Sequence, residues 1–261
     1  MPEITPVGPP SSRYDDVVHE PVTITGRDGA TVEAHLHRPA GQGRFPAIAI
    51  GAEGTGVNAY IQRVAATLAH HGFVAVVADP YRGQGPPDPE AYEDVETLMR
   101  FIGELDFTRA ATDQLAAIAY LRERADVDPM RVGVWGYCTG ATLALLAAEL
   151  DPLVAAAVLF YPSQPTFEAL GDTTPAHPID LLWSINCPVL LIYGDDDVVM
   201  PKDLLDEVTR RLETWGIEHR IDLHAGAGHA FCAEAPMFFH HDAAVASWTT
   251  AVDFARQTLG A

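Results

Sequence analysis

The sequence has no run of eighteen or more apolar residues, so no segment is long enough to cross a bilayer as a helix. Its start, MPEITPVGPPSSRYDD, lacks a basic stretch followed by an apolar core, and no signal peptide is expected. Cysteine is scarce: Cys138, Cys187 and Cys232 are too few and too scattered for a disulfide framework. A reducing, cytoplasmic location, where a free thiol survives, is the expectation. Positive charge is scarce beside negative charge, with 16 Lys and Arg against 36 Asp and Glu, a formal net charge of −20, and Lys202 as the sole lysine. A phosphate backbone would be repelled, which excludes nucleic acid as a partner. The acidic balance reads as a solubilising surface, and an anionic substrate would need positive charge supplied locally. No repeat, linker or low-complexity break interrupts the chain, so residues 1–261 are expected to form one domain, with residues 1–16 as a loose N-terminal arm.

What is present is a regular alternation. Two strands, 17–25 and 31–37, flank the turn Gly26-Arg27-Asp28-Gly29. The apolar runs 46–51, 74–78, 132–135, 154–160 and 189–193 read as buried parallel strands, and 218–223 as a last strand. Amphipathic segments lie at 60–71, 92–101, 108–124, 142–150, 202–215 and 242–259. This pattern predicts an α/β fold: an open, mostly parallel sheet of about eight strands, wrapped by helices on both faces, with no large lid domain. Ligands in such sheets bind beyond the carboxyl ends of the strands.

Three loops at those ends carry polar groups that work together. Gly136-Tyr137-Cys138-Thr139-Gly140 follows an apolar strand and precedes a helix, the pattern of a nucleophile elbow with cysteine in place of serine. The flanking glycines suit a strained turn in which a Cβ would strike the neighbouring strand and helix. The helix that follows points its N-terminus at the thiol, favouring a thiolate or a developing oxyanion. Asp195-Asp196-Asp197 follows a later strand, and His229 lies in a glycine-rich loop after the last one. The order nucleophile, acid, histidine is that of the α/β-hydrolases. A neutral thiol needs a base, which His229 supplies, and the imidazole needs a carboxylate to fix its tautomer. Residue chemistry does not choose among the three aspartates, since aspartate also favours turns. The pairs His70-His71 and His240-His241 have no metal-ligand spacing with other residues.

Taken with Ala52-Glu53-Gly54-Thr55-Gly56-Val57-Asn58, Asp79-Pro80-Tyr81-Arg82 and Ala227-Gly228-His229-Ala230-Phe231, the elbow resembles the dienelactone hydrolase family, within the α/β-hydrolase fold, from about Val22 to the last helix. The resemblance implies Cys138 as nucleophile, His229 as base and Asp197, four residues before Pro201, as the acid. It also implies that Glu53 contacts the resting thiol and helps to deprotonate it. Backbone N–H groups of Gly54 and Thr139 would form the oxyanion hole. The implied reaction is two-step acyl transfer on a small ester or lactone through a thioester, without metal or organic cofactor.

The chain also departs from the family pattern. Arg82 stands one residue early for the first of two substrate-holding arginines, and Phe231-Cys232-Ala233-Glu234 offers no second. Tyr81, Tyr137 and Phe231 are the aromatic candidates for the pocket wall, and Pro162 stands where related chains often carry glycine. Two other readings compete: hydrolysis of another acyl substrate, such as a thioester or amide, and a non-catalytic protein in which Cys138 is an oxidisable sensor thiol.

Overall fold

A computed structural model describes residues 14–261. Residues 1–13 of the expected arm lie outside the described residues. The arm's end is tied down: the Tyr14 N–H donates to the His70 carbonyl at 3.1 Å, and the Tyr14 ring meets Phe45 edge-on at 5.6 Å.

The strands are β1 (Val17–Thr25), β2 (Thr31–Pro39), β3 (Phe45–Gly51), β4 (Val74–Ala78), β5 (Val127–Tyr137), β6 (Ala157–Phe160), β7 (Val189–Gly194) and β8 (His219–His224). They form one sheet in the order β1-β2-β4-β3-β5-β6-β7-β8. Pairing is antiparallel between β1 and β2 and between β2 and β4, and parallel from β4 onward. Every residue of β3, β4, β6 and β7 is buried, as expected for parallel strands covered on both faces. Edge strand β1 instead alternates towards solvent. The expected alternation of strand and helix is therefore met.

Among the described residues, six α-helices cover the sheet: α1 (Ala59–His70), α2 (Val95–Glu104), α3 (Phe107–Glu123), α4 (Thr139–Leu150), α5 (Lys202–Thr214) and α6 (His241–Leu259). Polar side chains start several of them. Asn58 accepts from the Ile61 N–H at 2.9 Å, Asp94 from Thr97 at 3.1 Å and Asp106 from Arg109 at 2.9 Å, each satisfying an otherwise orphaned N–H of a first turn. Gly260, at φ 73°, closes α6 in the left-handed conformation that glycine adopts without strain. Helix α4, the one that follows the cysteine, is buried at every position except Leu150. Its apolar sequence fits a helix enclosed on all sides.

Two buried histidines make the fold sensitive to acid. Burial, reinforced by His19 and His35, holds the His37 ring down at about 4, and burial with Arg256 and His70 nearby does the same to His71. An unfolded histidine titrates near ~6.5, so between about 4 and 6.5 the unfolded chain binds protons that the folded chain does not. The stability that these rings contribute is complete above that window and is lost as pH falls through it. The melting temperature should therefore drop between pH 6.5 and 4.5, and a His37→Gln, His71→Gln double variant should show a shallower drop. An unchanged slope in the double variant would contradict the assignment.

Candidate active site

Cys138 joins the end of β5 to the start of α4 with φ 50° and ψ −119°, a backbone conformation costly for any residue with a Cβ. Three glycines make this turn possible. A Cβ on Gly136 would lie 2.3 Å from the Gly140 carbonyl oxygen, and one on Gly140 would lie 2.2 Å from the Gly51 carbonyl carbon. One on Gly51 would meet the Gly140 oxygen at 2.1 Å. The ends of β3 and β5 and the first turn of α4 thus touch backbone to backbone. The turn is held from both sides: the Cys138 N–H donates to the Phe160 carbonyl at 3.0 Å, and its carbonyl accepts from Ala141 at 3.0 Å.

The loops after β7 and β8 meet the sulfur with equal economy of space. A Cβ on Gly194 would sit 1.9 Å from the Ala227 carbonyl oxygen, and the Asp196 N–H donates to that oxygen at 3.0 Å. This brings His229 between a thiol and a carboxylate. Its Nε2 lies 3.1 Å from Cys138 Sγ, and its Nδ1 lies 2.9 Å from Asp197 Oδ2. The other oxygen of Asp197 accepts from the N–H groups of Val199 at 2.8 Å and Met200 at 3.0 Å, and the side chain has no solvent exposure. Geometry also separates the three aspartates. Asp195 accepts from the Gly226 N–H at 2.6 Å and braces the turn, while Asp196 lines the cavity mouth.

These contacts reshape the acidities. Burial disfavours a thiolate at Cys138, but the charge and hydrogen bond of His229 outweigh it and bring the thiol below its ordinary value. At His229 burial opposes the charged ring, and Cys138 and Asp197 together overcome it and lift the imidazole to about 10. Both shifts favour a thiolate–imidazolium pair. The Tyr161 ring, edge-on at 5.2 Å, supports the imidazole.

Glu53 lies just beyond β3, buried, with its carboxyl raised to about 7 by burial. It does not hydrogen-bond to the sulfur. Its Oε1 accepts instead from the Tyr92 hydroxyl, which accepts in turn from Asn58 Nδ2 at 2.6 Å. The expected contact between Glu53 and the resting thiol is therefore replaced, in this conformation, by a Tyr92–Asn58 network. Any negative charge on Glu53 opposes the thiolate. Gly54 lines the cavity that Cys138 opens into, and Thr139 begins α4 with its Oγ1 3.8 Å from Cys138 Sγ; among the described residues their N–H groups have no hydrogen-bonded acceptor.

The four expected substrate-binding side chains face elsewhere. The Arg82 guanidinium is clamped by Asp113, at 2.7 and 2.8 Å, and by Asp28, at 2.7 and 3.1 Å, so it is not available to a substrate. Tyr81 lies behind the wall and donates to the Gly54 carbonyl at 2.7 Å, which positions that loop. Tyr137 packs beneath the elbow against Phe160 and Tyr60, and Phe231 packs against Tyr161 and His224. All three aromatic residues are buried core.

The cavity above Cys138 encloses about 560 Å³ and is walled instead by α2, the loop after Asp197 and the segment before α6. Ser163, Gln164, Tyr92 and Phe238 line it and carry no motif that would mark them in the sequence. Among the described residues, no group of three or more histidine, cysteine or acidic side chains is placed to hold a metal ion.

Comparison with known proteins agrees with this architecture. The model of the dienelactone hydrolase family matches residues 32–259. A Bradyrhizobium protein, named as a candidate 2-oxo-3-(5-oxofuran-2-ylidene)propanoate lactonase, is 32% identical over 234 residues, covering 90% of this chain and 92% of its own. A candidate carboxymethylenebutenolidase of Salmonella typhimurium is 27% identical over 251 residues, covering 94% and 90%. The crystal structure of a candidate dienelactone hydrolase from Klebsiella pneumoniae superposes with a TM-score of 0.84 at 26% identity, covering 93% of this chain and 100% of that one.

Proposed function

The chain belongs to the dienelactone hydrolase family and is an ester or lactone hydrolase; on that premise we propose that it works by two-step acyl transfer through the sulfur of Cys138. The observation that carries the reading is the single line of contacts from Cys138 Sγ through His229 to the buried Asp197, at 3.1 and 2.9 Å.

The thiolate attacks the substrate carbonyl, and the C–O π electrons move onto the oxygen. The N–H groups of Thr139 and Gly54 receive that oxyanion, reinforced by the N-terminus of α4. The tetrahedral intermediate collapses, and the imidazolium of His229 gives its proton to the departing alkoxide. Neutral His229 then takes a proton from water as the water attacks the thioester. The second collapse releases the acid and restores the ion pair. Throughout, Asp197 keeps Nδ1 protonated and steadies the charged ring.

Glu53 takes an electrostatic part in this reading. Below about pH 7 its carboxyl is neutral and leaves the thiolate unopposed.

Thiol alkylation tests the ion pair. At about pH 7 iodoacetamide should modify Cys138 alone, because burial pushes the thiols of Cys187 and Cys232 up to about 12. Glu53→Gln should lower the apparent pKa of Cys138 and speed its alkylation near pH 8. Slower alkylation in that variant would instead make Glu53 the thiol's base. Equal labelling of all three cysteines would remove the ion pair from the account.

A further inference from the structure

The cavity over Cys138 is unusual in what faces it. Helix α2 contributes Leu98, Met99 and Ile102, the loop after Asp197 contributes Val199, and the segment before α6 contributes Met237 and Phe238. Among the described residues, no lysine or arginine lines the cavity. The charged or titratable groups there are Asp196 at the mouth, Glu53 in the floor, Tyr92, His229, His240 and Cys138 itself. His229 is engaged by Asp197 and Cys138, and His240 caps α6 by accepting from the Ala243 N–H at 3.3 Å. Arg82, the arginine that the sequence offered for holding substrate, is clamped by Asp28 and Asp113.

The rim repeats the pattern. Of thirteen large apolar side chains exposed among the described residues, Val95, Met99, Val198, Val199 and Met237 border this cavity. A cluster of exposed apolar groups around a concave site marks a surface that an apolar ligand covers. A carboxylate entering such a site would lose its hydration without gaining a cationic partner, at a cost well above that of a neutral group. The overall charge of −20 adds repulsion at longer range.

We propose that this site acts on uncharged esters or lactones whose acyl and alkoxy parts are apolar, and discriminates against substrates that carry a free carboxylate. This rests on the reading of Cys138 as the nucleophile. Leu98, Met99, Ile102 and Val199 are the specificity-determining residues. Selectivity arises where the substrate is desolvated, beside the sulfur, and not from the distant surface field.

Two matched substrate pairs test it, each corrected for its rate with hydroxide. One pair differs on the acyl side: the para-nitrophenyl ester of methyl adipate against that of hydrogen adipate. The other differs on the alcohol side: para-methoxycarbonylphenyl acetate against para-carboxyphenyl acetate. In each, kcat/KM should favour the neutral member by at least about tenfold at neutral pH, a desolvation effect. The preference should persist in about 0.5 M salt, which screens the surface field to within a few ångströms but leaves a buried contact intact. Met99→Arg should narrow the gap several-fold by supplying the absent cation. A smaller gap in either pair, or one that vanishes in salt, overturns the proposal while leaving Cys138 chemistry standing. Failure of the parent reading looks different: turnover of all four esters would survive Cys138→Ala.

Discussion

Replacing Cys138 with alanine is expected to lower kcat/KM for activated esters by at least about 10⁴-fold, while the melting temperature stays near that of the parent. The size follows from chemistry: without the sulfur there is no acyl-enzyme, and only the oxyanion donors and the binding cavity remain to help water attack. Such a loss corresponds to about 5.5 kcal/mol of transition-state stabilisation. Stability is spared for a separate reason. Alanine keeps the Cβ that the turn already accommodates at φ 50°, and the backbone bonds to Phe160 and Ala141 do not use the side chain. Activity and stability, measured side by side, separate a catalytic loss from a folding one. Retained activity would mean that another group attacks, and Ser163, the hydroxyl that lines the cavity beside Cys138, would be the first to examine.

Asp197→Asn should cost about 10³-fold or more with little change in shape. The amide oxygen can still accept from Val199 and Met200, as Asp197 Oδ1 does now. What disappears is the negative charge facing His229 Nδ1, and with it the preference for the tautomer that places a lone pair or a proton correctly at Nε2. The pH behaviour gives a second readout. Asp197 helps to lift His229 to about 10, and the charged ring in turn lowers the Cys138 thiol. In the variant the imidazole should titrate lower and the thiol higher, so alkylation of Cys138 at pH 7 should slow as well. Loss of turnover with unchanged alkylation would show that Asp197 acts after the thiolate forms, and not on the resting pair.

The fold and the candidate site were legible in the sequence to different depths. Continuous apolar runs located β3, β4 and β7 to within a residue, because strands buried on both faces have no polar positions to blur them. Strand β5 begins at Val127, five residues before the apolar run, since Asp128-Pro129 reads as a turn. Pairing with β3 there passes through a register shift between Phe45 and Ala47. Strand β6 begins late, at Ala157, because Val154 turns back to bond to the Asp151 carbonyl.

The elbow was readable because backbone approach leaves glycine as the one residue that fits at 136 and 140, a constraint written locally. The cavity wall was not. Strand alternation turns Tyr137 under the sheet, whatever its distance in sequence from Cys138. Arg82 is claimed by Asp28 and Asp113, which stand 54 and 31 residues away, and Tyr92 reaches Glu53 across 39. Contacts of that range leave no short motif behind.

The central claim is that acyl transfer passes through the sulfur of Cys138, and the most direct measurement is the mass of the enzyme during turnover. Enzyme mixed with excess activated ester and quenched in acid within milliseconds should yield at most one acyl adduct per chain, located by peptide mapping on Cys138 and cleaved by neutral hydroxylamine. The adduct should be absent from the Cys138→Ala variant. Turnover at the full rate without any adduct on Cys138, or with the acyl group on a serine, would contradict the account.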